Sequence, residues 1–168
     1  YEVNVTAPLT IAPGVTIAFQ QGARLDVEAG GSIIANGAAA QPVTFTGQNA
    51  TAGFWTGIRF YSAIPSTLQH TVVEYGGGAT GPASGNLYVA NAGVIRLQNS
   101  VVRHSKTHGL NVASGGNLEG CSENVIRDNA TPVRLYARHL PQLDSATDFA
   151  TGNVDNVIDV FGGDTDAD

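Results

Sequence analysis

The apolar residues of this chain return in register every 23 to 29 positions, and short tripeptides of the same kind return with them. A period of that length marks a solenoid, in which each repeat buries its apolar face only by stacking on its neighbours. Asn86-Leu87-Tyr88-Val89, Gly109-Leu110-Asn111-Val112 and Pro132-Val133-Arg134-Leu135 are three copies of one short strand, each 23 residues after the last. A second column runs through Val72-Val73-Glu74-Tyr75, Val101-Val102-Arg103-His104 and Val125-Ile126-Arg127-Asp128, at steps of 29 and 24. The step of 29 also separates Ile58 from Leu87 and Leu68 from Leu97. One insertion accounts for all three long steps, because the Gly-rich stretch Gly76 to Gly85 lies between the members of each pair. Towards the N-terminus, Ile17, Val43 and Leu68 read as one column at steps of 26 and 25, and Ile34 precedes Ile58 by 24.

The repeats are strand-and-turn chemistry. Short runs rich in Val, Ile, Thr, Leu and Phe are punctuated by Gly, Asn, Pro and Ser, and no stretch of ten residues or more keeps a helical period. Three such strands per turn predict three parallel sheets, each strand pairing with its equivalents in the coils about 4.8 Å above and below. Like then stacks on like. Ile58, Leu87, Leu110 and Val133 are expected to form an inward aliphatic ladder. Asn99, Asn124 and Asn129 are expected at corners, where a side-chain amide can bond the backbone of the next coil. The expected architecture is a single all-β, single-stranded parallel β-helix of six to seven coils over residues 1–160. From about Leu140 to Phe161 the chain is expected to leave the register and cap the last coil, and 161–168 reads as an acidic tail or linker.

Composition narrows the function classes. The 168 residues are 42% hydrophobic but only 13% charged, against about 25% in ordinary soluble domains, which suits a long narrow core with Ser, Thr, Asn and Gly at its corners. A net charge of −6, with eight Lys plus Arg, leaves no basic stripe for a nucleic acid. No apolar run approaches the roughly 20 residues of a membrane span. Cys121 is alone, so neither a disulfide framework nor a Cys-based zinc site is open to the chain, and it reads as a small buried residue. The chain contains no Met, and it reads as a processed piece from which any signal peptide has been removed.

The segments Leu9 to Ile17, Gly31 to Gly37, Pro42 to Thr46 and Trp55 to Phe60 resemble the opening coils of right-handed parallel β-helix domains in bacterial secreted and cell-surface proteins, of pectate-lyase-like architecture. So does Val73-Glu74-Tyr75-Gly76-Gly77 with the Asn-rich coils that follow. The resemblance covers roughly residues 9–136. It implies an extracellular or cell-surface setting, and it spans polysaccharide lyases, glycoside hydrolases, adhesins and passive stalks, among which fold alone does not choose.

The register places candidate residues together. Glu74, Arg103 and Arg127 fall in one column and Tyr75, His104 and Asp128 in the next, with His108 just beyond the His104 turn. A carboxylate, a His and an Arg beside a groove could serve as base, acid and charge clamp on a uronic-acid polymer. Alternatively, Glu74 over Arg103 and His104 over Asp128 are neighbours that stabilise a sheet face. The enzyme patterns transfer poorly: Thr107-His108-Gly109 is similar to the His-Gly element of polygalacturonase-type hydrolases, but their adjacent Asp pair has no counterpart. Pectate-lyase sites gather several Asp for calcium near an Arg, whereas Asp128 stands nearly alone in the central coils.

A further column, Arg59, Tyr88, Asn111 and Arg134, follows the inward positions by one residue; with Tyr75 it could grip an extended sugar chain, or simply form a solvated face. Phe54 and Trp55 read as core or end-packing groups. Only Thr44 and Thr46 show the Thr spacing of an ice-binding face, so that class is set aside. In the tail, Asp164, Asp166 and Asp168 alternate like the first half of a calcium loop, but the Gly and the distal Glu are lacking. The sequence therefore predicts no required cofactor, with calcium at the tail as the weaker alternative. The expected function is a non-catalytic structural, adhesive or carbohydrate-recognising module whose partner is a polysaccharide or surface glycan, with end-to-end or face association open to it. The alternative is a lyase or hydrolase working around His104.

Overall fold

A computed structural model of the chain describes residues 1–162. It is a parallel β-solenoid of about six turns. Sheet 1 stacks Glu2–Val5, Arg24–Val27, Gly57–Phe60, Leu87–Val89, His108–Val112, Thr131–Leu135 and Ile158–Val160. Sheet 2 stacks Pro8–Ile11, Ser32–Asn36, Ser66–Gln69, Val94–Gln98 and Asn117–Ser122. Sheet 3 stacks Thr16–Phe19, Val43–Gly47, Thr71–Glu74, Val101–Arg103 and Val125–Arg127. Every strand pairing within the three sheets is parallel.

The core is a set of axial ladders. Leu25, Ile58, Leu87, Leu110 and Val133 stack in consecutive coils of sheet 1, all buried. Val27, Phe60, Val89, Val112 and Leu135 form the ladder beside it. The columns Val72–Val101–Val125 and Leu68–Leu97 pair as their spacing predicts. Trp55 closes the early coils from inside: it is buried, stacks on Phe19 at 4.2 Å between ring centroids, and donates Nε1–H to the Glu74 carbonyl at 2.8 Å.

Two columns expected near the N-terminus are corrected. Ile17 pairs with Phe45 and Val43 with Thr71 in sheet 3, whereas Leu68 belongs to sheet 2 opposite Ala35. Ile34 pairs with Thr67, and the residue opposite Ile58 is Leu25. The second turn is longer than the later ones, since Leu25 and Ile58 stand 33 positions apart. Ile34 and Ile58, 24 apart, and Val43 and Leu68, 25 apart, therefore fall on different sheets, and Ile17 and Val43, 26 apart, share sheet 3 but sit two positions out of register. The third correction concerns the C-terminal segment. A 3₁₀ helix at Ala137–Gln142 lies on the edge of sheet 2, where Gln142 donates to Asn117. Ile158–Val160 then returns to the register as the seventh strand of sheet 1.

The corners explain the spacing. Before and after the three later strands of sheet 3, single residues take the left-handed conformation: His70, Asn99 and Glu123 on one side, and Tyr75, His104 and Asp128 on the other, with φ from 45° to 62°. Each costs a non-glycine residue about 1–2 kcal/mol and turns the chain sharply from one sheet to the next. The N–H that follows each bend is taken up by a polar side chain. At one corner Thr71 N–H donates to Ser100 Oγ, Ser100 N–H to Asn124 Oδ1, and Asn124 N–H to Thr147 Oγ1. At the other, Ser105 N–H donates to Asn129 Oδ1 and Asn129 N–H to Asn153 Oδ1. The Asn124, Asn129 and Asn153 amides then donate to Leu97, Val102 and Ile126 carbonyls, so buried backbone is satisfied between coils. Asn99 is not a ladder residue; it is the exposed bend beside one, whereas Asn153, and Asn86 by accepting from Gly76 N–H and donating to the Val73 carbonyl, are ladder members that the spacing did not single out. At the third corner Gly31, Gly93 and Gly116 sit against carbonyls of the preceding coil. A Cβ there would lie 2.0, 2.1 and 2.5 Å from the Val5, Phe60 and Val89 oxygens.

Candidate functional site

The bend column holds the residues that spacing had gathered. Tyr75 and His104 stack face to face, with ring centroids 5.0 Å apart and planes 11° apart. Asp128 follows in the same column, but its carboxylate turns to the Arg127 guanidinium of its own coil. Glu74 accepts from Arg103 Nε at 2.7 Å and from Thr46 Oγ1 at 3.0 Å. These carboxylates therefore face guanidinium groups rather than His104, whose stacking partner is the Tyr75 ring. His108 belongs elsewhere. It opens a strand of sheet 1, its Nδ1 lies 3.3 Å from the Ser84 carbonyl, and its charged surroundings are Arg134 and Asp159. That carbonyl fixes Nδ1 as the protonated nitrogen of the neutral ring, and burial holds the imidazole below its ordinary pKa.

The outer face of sheet 1 carries the longer polar array. Asn4, Asp26, Arg59, Tyr88, Asn111, Arg134 and Asp159 pair in consecutive coils and form one axial column. Arg59, Tyr88, Asn111 and Arg134 thus align as their spacing predicts, but Asn111 is not exposed. The Gly-rich insertion folds over it, and its amide donates to the Pro82 and Ser84 carbonyls at 2.8 and 2.9 Å. A planar amide held by its nitrogen turns its oxygen the other way, and Asn111 Oδ1 has no hydrogen-bond partner in the protein. Among the described residues, five buried side-chain atoms lack such a partner, and four lie in this column: Asp26 Oδ1, Arg59 Nε, Asn111 Oδ1 and Arg134 Nε. Arg134 Nε is 3.3 Å from Asp159 Oδ2, an ion pair by distance that is out of line for a hydrogen bond.

Aromatic rings flank the column. Tyr61 meets Tyr88 edge to face at 6.3 Å, and Tyr136 packs on Phe161 at 4.5 Å, with the Arg134 guanidinium 4.2 Å over the Phe161 ring. Between Tyr61 and Tyr136 the equivalent positions are Ala90 and Ala113, whose N–H groups continue the ladder by donating to Phe60 and Val89 carbonyls. Burial raises the Tyr61 and Tyr88 phenol pKa values against the lowering pull of the Arg59 guanidinium, so both hydroxyls remain protonated donors at neutral pH. Asp26 and Tyr61 escaped the sequence reading. The signal was available, since Asp26 precedes Arg59 by the same 33 positions as Leu25 precedes Ile58.

On the opposite side of the solenoid a shallow cavity of about 270 Å³ is lined by Ala38, Pro42, His70, Val72, Asn99 and Val101 among others. It touches none of the predicted site residues. Among the described residues no group of three or more His, Cys, Asp or Glu side chains could hold a metal ion, and no helix is long and apolar enough to cross a membrane. Asp164, Asp166 and Asp168 lie outside the described residues. No family model, curated protein or solved structure matches the chain.

Proposed function

We propose that this chain is a non-catalytic module that binds an extended, uncharged glycan along the outer face of sheet 1. We read it as a right-handed, pectate-lyase-like β-helix of a secreted or surface-displayed bacterial protein. The observation that carries the glycan reading is the set of half-buried planar groups that the axial column presents outward, the Tyr88 ring and the guanidinium groups of Arg59 and Arg134. Arg59 and Arg134 stand three coils apart, about 14 Å at ~4.8 Å per coil, with the Tyr88 ring between them on which a sugar face can rest and with guanidinium donors on either side for its hydroxyls. The column's charges cancel, Asp26 and Asp159 against Arg59 and Arg134, which favours a neutral chain over a polyanion. The pairing of Glu74 with Arg103 and of Asp128 with Arg127 leaves the bend column without a poised acid and base, which supports the non-catalytic reading.

The test is calorimetric titration with neutral glucans and mannans beside polygalacturonate and alginate, together with a product assay on all four. A neutral polymer is expected to bind, with affinity reduced at least about tenfold (~1.4 kcal/mol) by Tyr88→Ala or Arg59→Ala and unchanged by His104→Ala. Binding of the acidic polymers alone, or binding indifferent to Tyr88→Ala, refutes the reading. Release of unsaturated or reducing ends that His104→Ala abolishes replaces it with the lyase or hydrolase.

A further inference from the structure

The 3₁₀ turn on the edge of sheet 2 is held there by a chain of hydrogen bonds whose direction is fixed at its origin. Arg138 Nε lies 3.2 Å from His139 Nε2, His139 Nδ1 lies 2.9 Å from Gln142 Oε1, and Gln142 Nε2 lies 3.0 Å from Asn117 Oδ1 on the last strand of the sheet. A guanidinium has donors only, so His139 Nε2 must accept. The ring is then neutral with its proton on Nδ1, which donates to Gln142 Oε1 and leaves the Gln142 amide nitrogen to reach Asn117. His139 is 3% exposed, so both ring nitrogens depend on these partners. Just beyond the turn, Leu143 packs on the core and pairs with Cys121 of the same strand, whose thiol is buried.

We infer that Ala137–Gln142 is a latch closed on the last strand of sheet 2, and that it is released when His139 takes up a proton. A proton on Nε2 turns the acceptor into a donor and sets its N–H against the N–H of Arg138. It also brings a buried imidazolium beside a guanidinium. Both penalties disappear once the turn lifts and the ring meets water. The other ionisable groups around the latch do not offset them. Arg138 lies on the turn itself and also reaches the Tyr136 ring before it. On the strand, Glu119 is exposed and paired with Arg96, and burial keeps Cys121 a neutral thiol. After the turn, the Asp144 carboxylate is taken by Thr147 and the Glu123 N–H. Among the described residues Arg138 is thus the charge that acts on the ring, and it works with burial to keep the ring neutral. His108 is built differently: its partner is the Ser84 carbonyl at Nδ1, a bond that a protonated ring keeps. The latch lies away from the glycan column and does not depend on that reading.

Cys121 reports the opening, because lifting the turn and Leu143 uncovers its thiol. Its labelling by an aromatic disulfide in the full chain, divided at each pH by the rate of an unstructured peptide thiol, should rise about tenfold or more between pH 7 and pH 5, as uptake of one proton requires. The circular dichroism spectrum should stay that of the folded chain over the same range. His139→Gln, whose amide can accept from Arg138 and donate to Gln142 without titrating, should remove the rise, and His108→Gln should keep it. Gln142→Leu, which cuts the link to Asn117, should label fast already at pH 7. Ring-nitrogen NMR shifts of the unaltered chain test the same latch without any variant. They should show His139 neutral with its proton on Nδ1 at pH 7, and titrating with the labelling midpoint. Labelling that is flat with pH or rises only as the dichroism signal is lost, a rise that survives His139→Gln, or a ring carrying its proton on Nε2 at pH 7 overturns the inference.

Discussion

Replacing Leu110 with Ala measures how firmly the ladders hold the solenoid together. Leu110 is buried between Leu87 in one coil and Val133 in the next. The substitution removes three carbons, about 2.4 kcal/mol at ~0.8 kcal/mol per methylene. Neighbouring coils are held at fixed spacing by backbone pairing on both sides, so the site cannot collapse to fill the gap. The cavity adds to the loss, and the total should reach about 3–5 kcal/mol. Val3→Ala is the internal control, since Val3 begins the same inward column at the open end and is 50% exposed. It loses two carbons that were half covered, about 0.8 kcal/mol. Urea unfolding at low protein concentration should therefore show a midpoint shift several times larger for Leu110→Ala than for Val3→Ala, with unchanged slopes. A loss below about 1 kcal/mol at Leu110, or equal losses at both positions, would refute the stacked-ladder account. Leu110→Asp should be worse than either, because an unpaired carboxylate would enter a dry column.

Burial and the nearby Asp144 push the Cys121 thiol up to about 12. It should therefore resist a thiol-specific reagent at pH 8 in the folded chain and react at once in denaturant. Because the folded pKa is the higher one, stability should also fall as pH rises from the ordinary thiol value towards about 12. His108 and His139 are both held below their ordinary pKa, chiefly by burial. Their contribution is present above the unfolded histidine value and is lost as pH falls through the lowered folded values, so acidification below about 6.5 should destabilise the chain. His108→Gln combined with His139→Gln should flatten that profile, and an unchanged profile would mean that other groups set it. A chelator should leave the thermal midpoint unchanged, since the described core is aliphatic; a fall of many degrees would point to calcium bound by the chain.

The architecture was legible in the sequence because a parallel solenoid makes period and contact the same quantity. Once residues one repeat apart are known to stack, 23 positions in the later coils and 29 across the insertion, Leu87, Leu110 and Val133 must be inward, and Glu74 must lie against Arg103. The early coils were misread where that identity fails: the longer second turn lets Ile17, Val43 and Leu68, at near-equal spacing, belong to two different sheets. Three features were decided by tertiary structure alone. The Gly76–Gly85 insertion is a length in the sequence, but which face it covers depends on where its carbonyls find donors, and they found Asn111 and His108. Asp128 could have turned to His104 or to Arg127, and a guanidinium in its own coil was the partner within reach. Left-handed bends at Tyr75, His104 and Asp128 follow from the need to turn between sheets within one residue, a demand that the composition at those positions does not reveal. Spacing along the chain settles which residues stack, because backbone pairing is periodic. Which way a polar side chain turns is settled by the donors and acceptors that the other coils and the insertion bring beside it.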